Sequence, residues 1–115
     1  SRLTLLTESL QPEQLRLLQQ QVPKVQINEL VLDYILALVH ASRSSKAHLP
    51  LSPRAAKAIV RAAKAMAFIH GRNYVTADDV QQIFPYLAEH RLNPQSAAGE
   101  HLLSTQLLQK TPCAL

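Results

Sequence analysis

Residues 52–80 read SPRAAKAIVRAAKAMAFIHGRNYVTADDV, and this stretch decides the fold. Ser52 has the short oxygen-bearing side chain of a helix N-cap. Pro53 follows at the first helical position, where its missing N–H costs nothing, and Arg54 takes the second. Ala55, Ile59, Ala62, Ala63, Met66 and Ile69 then recur at helical spacing and predict an inward face. The small alanines on that face permit close approach of a second helix. Gly71 stands where a helix usually ends in a left-handed residue. A second start signal comes at once. Thr76 is an N-cap with Asp79 three residues on, and Val75 is placed to staple onto Val80. Asp78 and Asp79 also suit the positive end of the new helix.

Outward from this pair of helices the same grammar continues. Val80, Ile83, Phe84 and Leu87 give the next helix its inward face, with Pro85 expected to bend or shorten it. Upstream, Asn28 caps a helix whose stripe is Val31, Tyr34, Ile35, Leu38 and Val39. Ile27 is placed to staple onto Leu32. Leu30, Leu32 and Leu36 widen that stripe and predict a central helix that ends near Arg43–Ser45. A first helix is expected from Pro12 to about Gln20, with Leu15 and Leu18 on its apolar face, stopped by Pro23. Val25 and Ile27 alternate with polar residues as a short extended linker does. Beyond a polar stretch, Asn93–Gly99, a last helix is expected over Glu100–Gln109, with Leu103 and Leu107 on one face and Thr111-Pro112 ending it.

Composition agrees. The chain has 115 residues, 47% of them hydrophobic and 17% charged, with two glycines and no tryptophan. That is too apolar for a disordered chain and too poor in turn and aromatic residues for a sandwich or barrel. The fold class expected is all-α, a small bundle of four to five helices with no significant sheet. Residues 1–27 are expected to form a linker and first helix, 28–92 the helical core, and 93–115 a C-terminal helix and tail. No apolar run is long enough to span a bilayer. A lone Cys113 near the end makes an internal disulfide impossible and points to a reducing compartment. The chain begins at Ser1 rather than methionine, so it is expected to be an excised segment of a longer protein.

No active site is assembled by these residues. A phosphate-binding glycine loop is missing, and none of His40, His48, His70, His90 and His101 has a second ligand at helical spacing, so no metal is expected. Cys113 has no neighbour that would activate it. The chain carries a formal charge of +4, with five basic and no acidic residues between Arg54 and Arg72. Arg54 is the best candidate. It puts a guanidinium in the first turn of a helix, where unpaired N–H groups and the dipole already favour a phosphate. Taken alone, the motif is more often an ordinary cap followed by a solvated arginine. Arg54, Lys57, Arg61 and Lys64 share one side of the helix, which suits an anionic partner or simply water. Aromatic residues for stacking bases are lacking, so nucleic acid is the weaker reading.

At this point the chain resembles a family. Tyr34-Ile35, Ala41-Ser42-Arg43 and Ser52-Pro53-Arg54-Ala55-Ala56 stand in the order found in the lid of MoxR-type AAA+ ATPases. So do Arg61-Ala62-Ala63-Lys64-Ala65, Gly71-Arg72-Asn73-Tyr74-Val75-Thr76, Asp78-Asp79-Val80 and His90-Arg91. Leu107–Pro112 is a looser match, and the whole resemblance spans about residues 12–112. The resemblance implies a helical lid that follows an upstream ATPase core, absent here, which would carry the Walker motifs. It implies a sensor-2 role for Arg54, reaching the phosphates of ATP held with Mg by that core. Ser52 and Pro53 would form the supporting cap, with Arg61 and Arg72 as secondary contacts. Arg72, Tyr74, Asp79 and Arg91 read first as structural residues, although Arg72 and Arg91 are also candidates for touching a neighbouring subunit.

The resemblance further implies a chaperone-like remodeling ATPase of hexameric rings, cytoplasmic and without a membrane segment. Its expected partners are neighbouring subunits and a protein with a von Willebrand A domain. The segment alone is then no enzyme, and it should expose an apolar surface that meets the core domain. One departure stands at Pro50-Leu51, where the family has Gly-Ala. Another is Ser42 in place of a usual threonine. The alternative is a free-standing basic module for nucleic acid or a protein partner.

Overall fold

The computed structural model describes residues 11–43, 50–92 and 102–112. Among these residues five α-helices follow one another: α1 (Pro12–Gln21), α2 (Glu29–Ser42), α3 (Pro53–Ile69), α4 (Ala77–Leu92) and α5 (Leu102–Lys110), with a 3-10 turn at Val22–Lys24. The all-α bundle expected from the sequence is therefore observed, and no sheet forms among the described residues. The loop 44–49, the polar stretch 93–99, Glu100, His101 and the Cys113 tail lie outside them.

The helix starts form as their sequences dictate. The Asn28 side chain accepts from the Val31 N–H at 2.9 Å, and Ser52 Oγ accepts from the Ala55 N–H at 3.2 Å. Gly71 ends the α3 turn with φ of +77°, the left-handed conformation that side chains disfavour. Pro85 sits inside α4 without ending it. Ile83, Phe84 and Ala88 on either side of it are buried.

α3 and α4 form an antiparallel hairpin with the most extensive contact in the molecule, and α5 packs on α4 while α2 packs on α3. The core between them contains Ile35 and Leu38 from α2, Ile59, Ala63 and Ala67 from α3, and Val80, Ile83 and Phe84 from α4. Phe84 is the largest fully buried side chain. Alanines across α3 leave room for side chains of this size at close helix spacing.

Three expectations need correction. Leu30, Leu32 and Leu36 do not widen a buried stripe: they are 55%, 36% and 51% exposed, so α2 lies at the edge with an uncovered leucine face. The other helices cover only the Val31–Ile35–Leu38 side. Ile69 is also on the exposed side, and Ala67 is buried in its place. In α1 Leu18 is half-buried, whereas Leu15 faces out.

Val25–Ile27 is extended, as its alternation predicts, but it is fixed rather than loose. The Gln26 N–H donates to the Asn73 carbonyl at 2.8 Å and the Gln26 carbonyl accepts from the Val75 N–H at 2.9 Å, an isolated parallel bridge to Tyr74. Val25 is buried beneath it. On the far side, the buried Ser42 hydroxyl donates to the Val39 carbonyl at 2.5 Å and accepts from the Leu51 N–H at 2.8 Å. Leu51 is thereby drawn into the core. This gives a physical role to Ser42 and Leu51, two positions where the chain departs from the family pattern.

Candidate phosphate-facing cleft

The antiparallel hairpin brings the end of α4 beside the beginning of α3. Between them opens a cleft of about 470 Å³ lined by Pro53, Arg54, Lys57, Ala58, Arg61 and Arg91. Four of the six are basic, and no carboxylate lines it. All four cationic side chains are exposed. From Arg54 to Arg61 is two helical turns, about 10 Å along the axis. Lys64, one turn further, does not line the cleft.

The first turn of α3 is more fully satisfied than its sequence suggests. Pro53 has no N–H, and the Ala55 N–H is taken by Ser52 Oγ. Within Pro53–Ala55 that leaves the Arg54 N–H for an outside acceptor, together with the guanidinium on the same residue. An anion here would be drawn by side-chain charge and the helix dipole more than by a nest of amides. Arg91 Nη1 donates to the Leu87 carbonyl of its own helix at 2.6 Å, which places an exposed guanidinium at the negative end of α4.

Of the candidate residues, the structure brings together Arg54, Arg61 and the cap Ser52-Pro53. Arg72 is not with them. It follows the C-terminus of α3, a helix of about 25 Å, and lines a second cleft of about 390 Å³ with Gln21, Lys24, Val25, Phe68, Gly71 and Asn73. Arg72 is also occupied. Its Nη1 and Nη2 donate to the two Asp79 carboxylate oxygens at 2.7 and 2.6 Å, and Nη1 reaches the Tyr74 carbonyl at 3.1 Å. The guanidinium carbon lies 5.6 Å from the Tyr74 ring centroid, a cation–π contact.

The same Asp79 carboxylate accepts from the Thr76 N–H at 2.7 Å and from the Thr76 hydroxyl at 3.1 Å. Asp79 is 1% exposed. Burial alone would push its carboxyl up, but the hydrogen bonds from Arg72 and Thr76 and the nearby positive charge prevail and hold it below the ordinary carboxylate range. The hydrogen bond to Asp79 raises Arg72 in turn, against its own desolvation. The capping box was legible in the sequence. The bidentate pair was not, because it depends on how the turn folds Arg72 back over the start of α4.

Glu89 was missed as well. This buried carboxylate on α4 accepts from the Ser104 N–H and hydroxyl, both at 2.9 Å. It caps α5 from another helix. No local pattern announces such a cap, since Ser104 lies 15 residues away.

No helix among the described residues is long and apolar enough to cross a membrane. Among the same residues, no group of three or more His, Cys, Asp or Glu side chains is placed to hold a metal ion.

Comparison with known proteins places the chain in a family. Residues 36–111 match the family model of the AAA lid domain. The chain is 34% identical over 90 residues to the uncharacterized protein YeaC of Bacillus subtilis, an alignment covering 74% of this chain and 28% of that protein. It is 32% identical over 76 residues to the chaperone MoxR1 of Mycobacterium tuberculosis, covering 57% and 20%. A solved structure of a presumed ATPase from Cytophaga hutchinsonii superposes with a TM-score of 0.70 at 27% identity, over 84% of this chain and 34% of that one. The chain thus spans about a third or less of the length of these relatives. On the match of its helical core, the chain belongs to the AAA lid domain family, as a lid of the MoxR-type AAA+ ATPases.

Proposed function

We propose that this chain serves as the lid of a larger MoxR-type ATP hydrolase and that Arg54 acts as its sensor 2, reaching the β- and γ-phosphates of bound ATP. The observation that carries this reading is the cleft itself: Arg54 stands at the capped start of α3 among three further cations and no carboxylate. Guanidinium groups suit phosphate oxygens because they are permanently charged and donate in a planar fork. The donor set fits phosphate and offers nothing to Mg²⁺, so the metal would be held by an upstream core domain. When bound, the nucleotide would supply the charge that Arg54 neutralises as the phosphoryl group is transferred. Its change on hydrolysis would loosen that grip and let the lid move.

The exposed leucine face of α2 supports the same reading. Leu30, Leu32 and Leu36 offer an apolar surface of the kind a lid needs against its core domain. The family resemblance extends the proposal to a chaperone-like remodeler working as a ring in the cytoplasm, with neighbouring subunits and a von Willebrand A domain protein as partners.

The test replaces Arg54 with alanine in the full-length protein and measures ATP turnover, with circular dichroism as the control of fold. Removing one such donor is expected to lower turnover by roughly a hundredfold. Unchanged turnover with intact helical signal would refute the role given to Arg54.

A further inference from the structure

Arg54 accounts for one of the four cations in the cleft between α3 and α4. The other three share the same acid-free wall, where an anion would be attracted by all of them together. Arg91 is the most informative of them. It comes from a different helix, it enters the cleft because α4 returns beside the start of α3, and its Nη1 donates to the Leu87 carbonyl. The cleft is also long for a single phosphate, with about two helical turns separating Arg54 from Arg61. Cations from two helices, spread along one wall, suit a linear polyanion such as a triphosphate, whose negative charge is strung along a chain.

We infer that Arg91 is a second phosphate-binding residue, which grips the triphosphate tail of a nucleotide from α4 while Arg54 grips it from α3. The inference rests on the phosphate role proposed for Arg54 and extends it to a clamp with two arms, with Arg61 between them. Both helices of the hairpin then hold one ligand. At the far end of the hairpin the Arg72–Asp79 pair ties the turn after α3 to the first turn of α4. Loss of the terminal phosphate would release α3 and α4 as one body.

The test titrates the full-length protein with inorganic tripolyphosphate and follows the arginine side-chain resonances by NMR. Saturable shifts at Arg54 and Arg91 are expected in the millimolar range or tighter. R91Q should weaken binding about tenfold, the loss of one charge-assisted hydrogen bond. R91K should recover part of it through charge without the planar fork. K24Q, which removes a cation from the other cleft, measures the effect of net charge alone and should be nearly silent. If R91Q behaves like K24Q while R54Q weakens binding, the role of Arg91 is overturned and that of Arg54 stands. If neither R54Q nor R91Q differs from K24Q, both fall. If a polyglutamate peptide of equal charge binds as tightly as tripolyphosphate, the cleft is built for acidic protein surface and the inference is overturned.

Discussion

Asp79 concentrates more of the local structure than any other single residue. It caps α4, accepts both arms of Arg72 and fixes Thr76. Asp79→Ala removes the cap and strands Arg72, and is expected to cost about 2–4 kcal/mol in chemical denaturation. The pH dependence follows from the sign of the shift. The Asp79 carboxyl is held below its ordinary value in the folded state, so its contribution is fully present above the unfolded pKa of about 4 and is lost as pH falls through the lower folded value. The stability gap between wild type and Asp79→Asn should therefore be constant from neutral pH down to about pH 5 and shrink in more acid solution. A gap that widened with acid would contradict the pair. Gly71→Ala is expected to destabilise by about 1 kcal/mol. The cause is backbone conformation alone, since an added Cβ would meet nothing within 4 Å.

The lesson at the level of elements concerns what a sequence can announce. Caps at Asn28, Ser52 and Thr76 were legible because each rests on a side chain three residues from its partner. The glycine stop at Gly71 was legible because glycine adopts that left-handed geometry at least cost. The candidate cleft was half legible. Arg54 and Arg61 could be placed on one side of α3 by periodicity, but Arg91 joins them only through the antiparallel return of α4. The leucines of α2 misled for the converse reason. Periodicity identifies an apolar arc, whereas the neighbours that exist decide how much of it is covered. Glu89 was invisible because it caps a different helix. Replacing Glu89 with alanine leaves the buried Ser104 N–H without this acceptor and is expected to cost about 2 kcal/mol. Hydrogen exchange would check it: amides of Ser104–Lys110 should lose protection well before those of α3.

As a whole molecule, the lid is a small bundle with two unfinished surfaces, a cationic cleft on the α3–α4 side and a leucine face on α2. A stable domain does not need either. Leu32→Glu combined with Leu36→Glu should leave the thermal unfolding of this chain nearly unchanged, within about 0.5 kcal/mol per exposed site. In the full-length protein the same pair should loosen the lid and raise its susceptibility to limited proteolysis. Marked unfolding of the 115-residue chain by these substitutions would mean that the leucines stabilise the bundle itself.

The central claim is that the cleft faces the nucleotide. A structure of the full-length protein with a non-hydrolysable ATP analogue tests it most directly. The account predicts the Arg54 guanidinium within about 3 Å of a β- or γ-phosphate oxygen, with the leucines of α2 covered by the core domain. A nucleotide bound elsewhere, with Arg54 left in solvent, would contradict it.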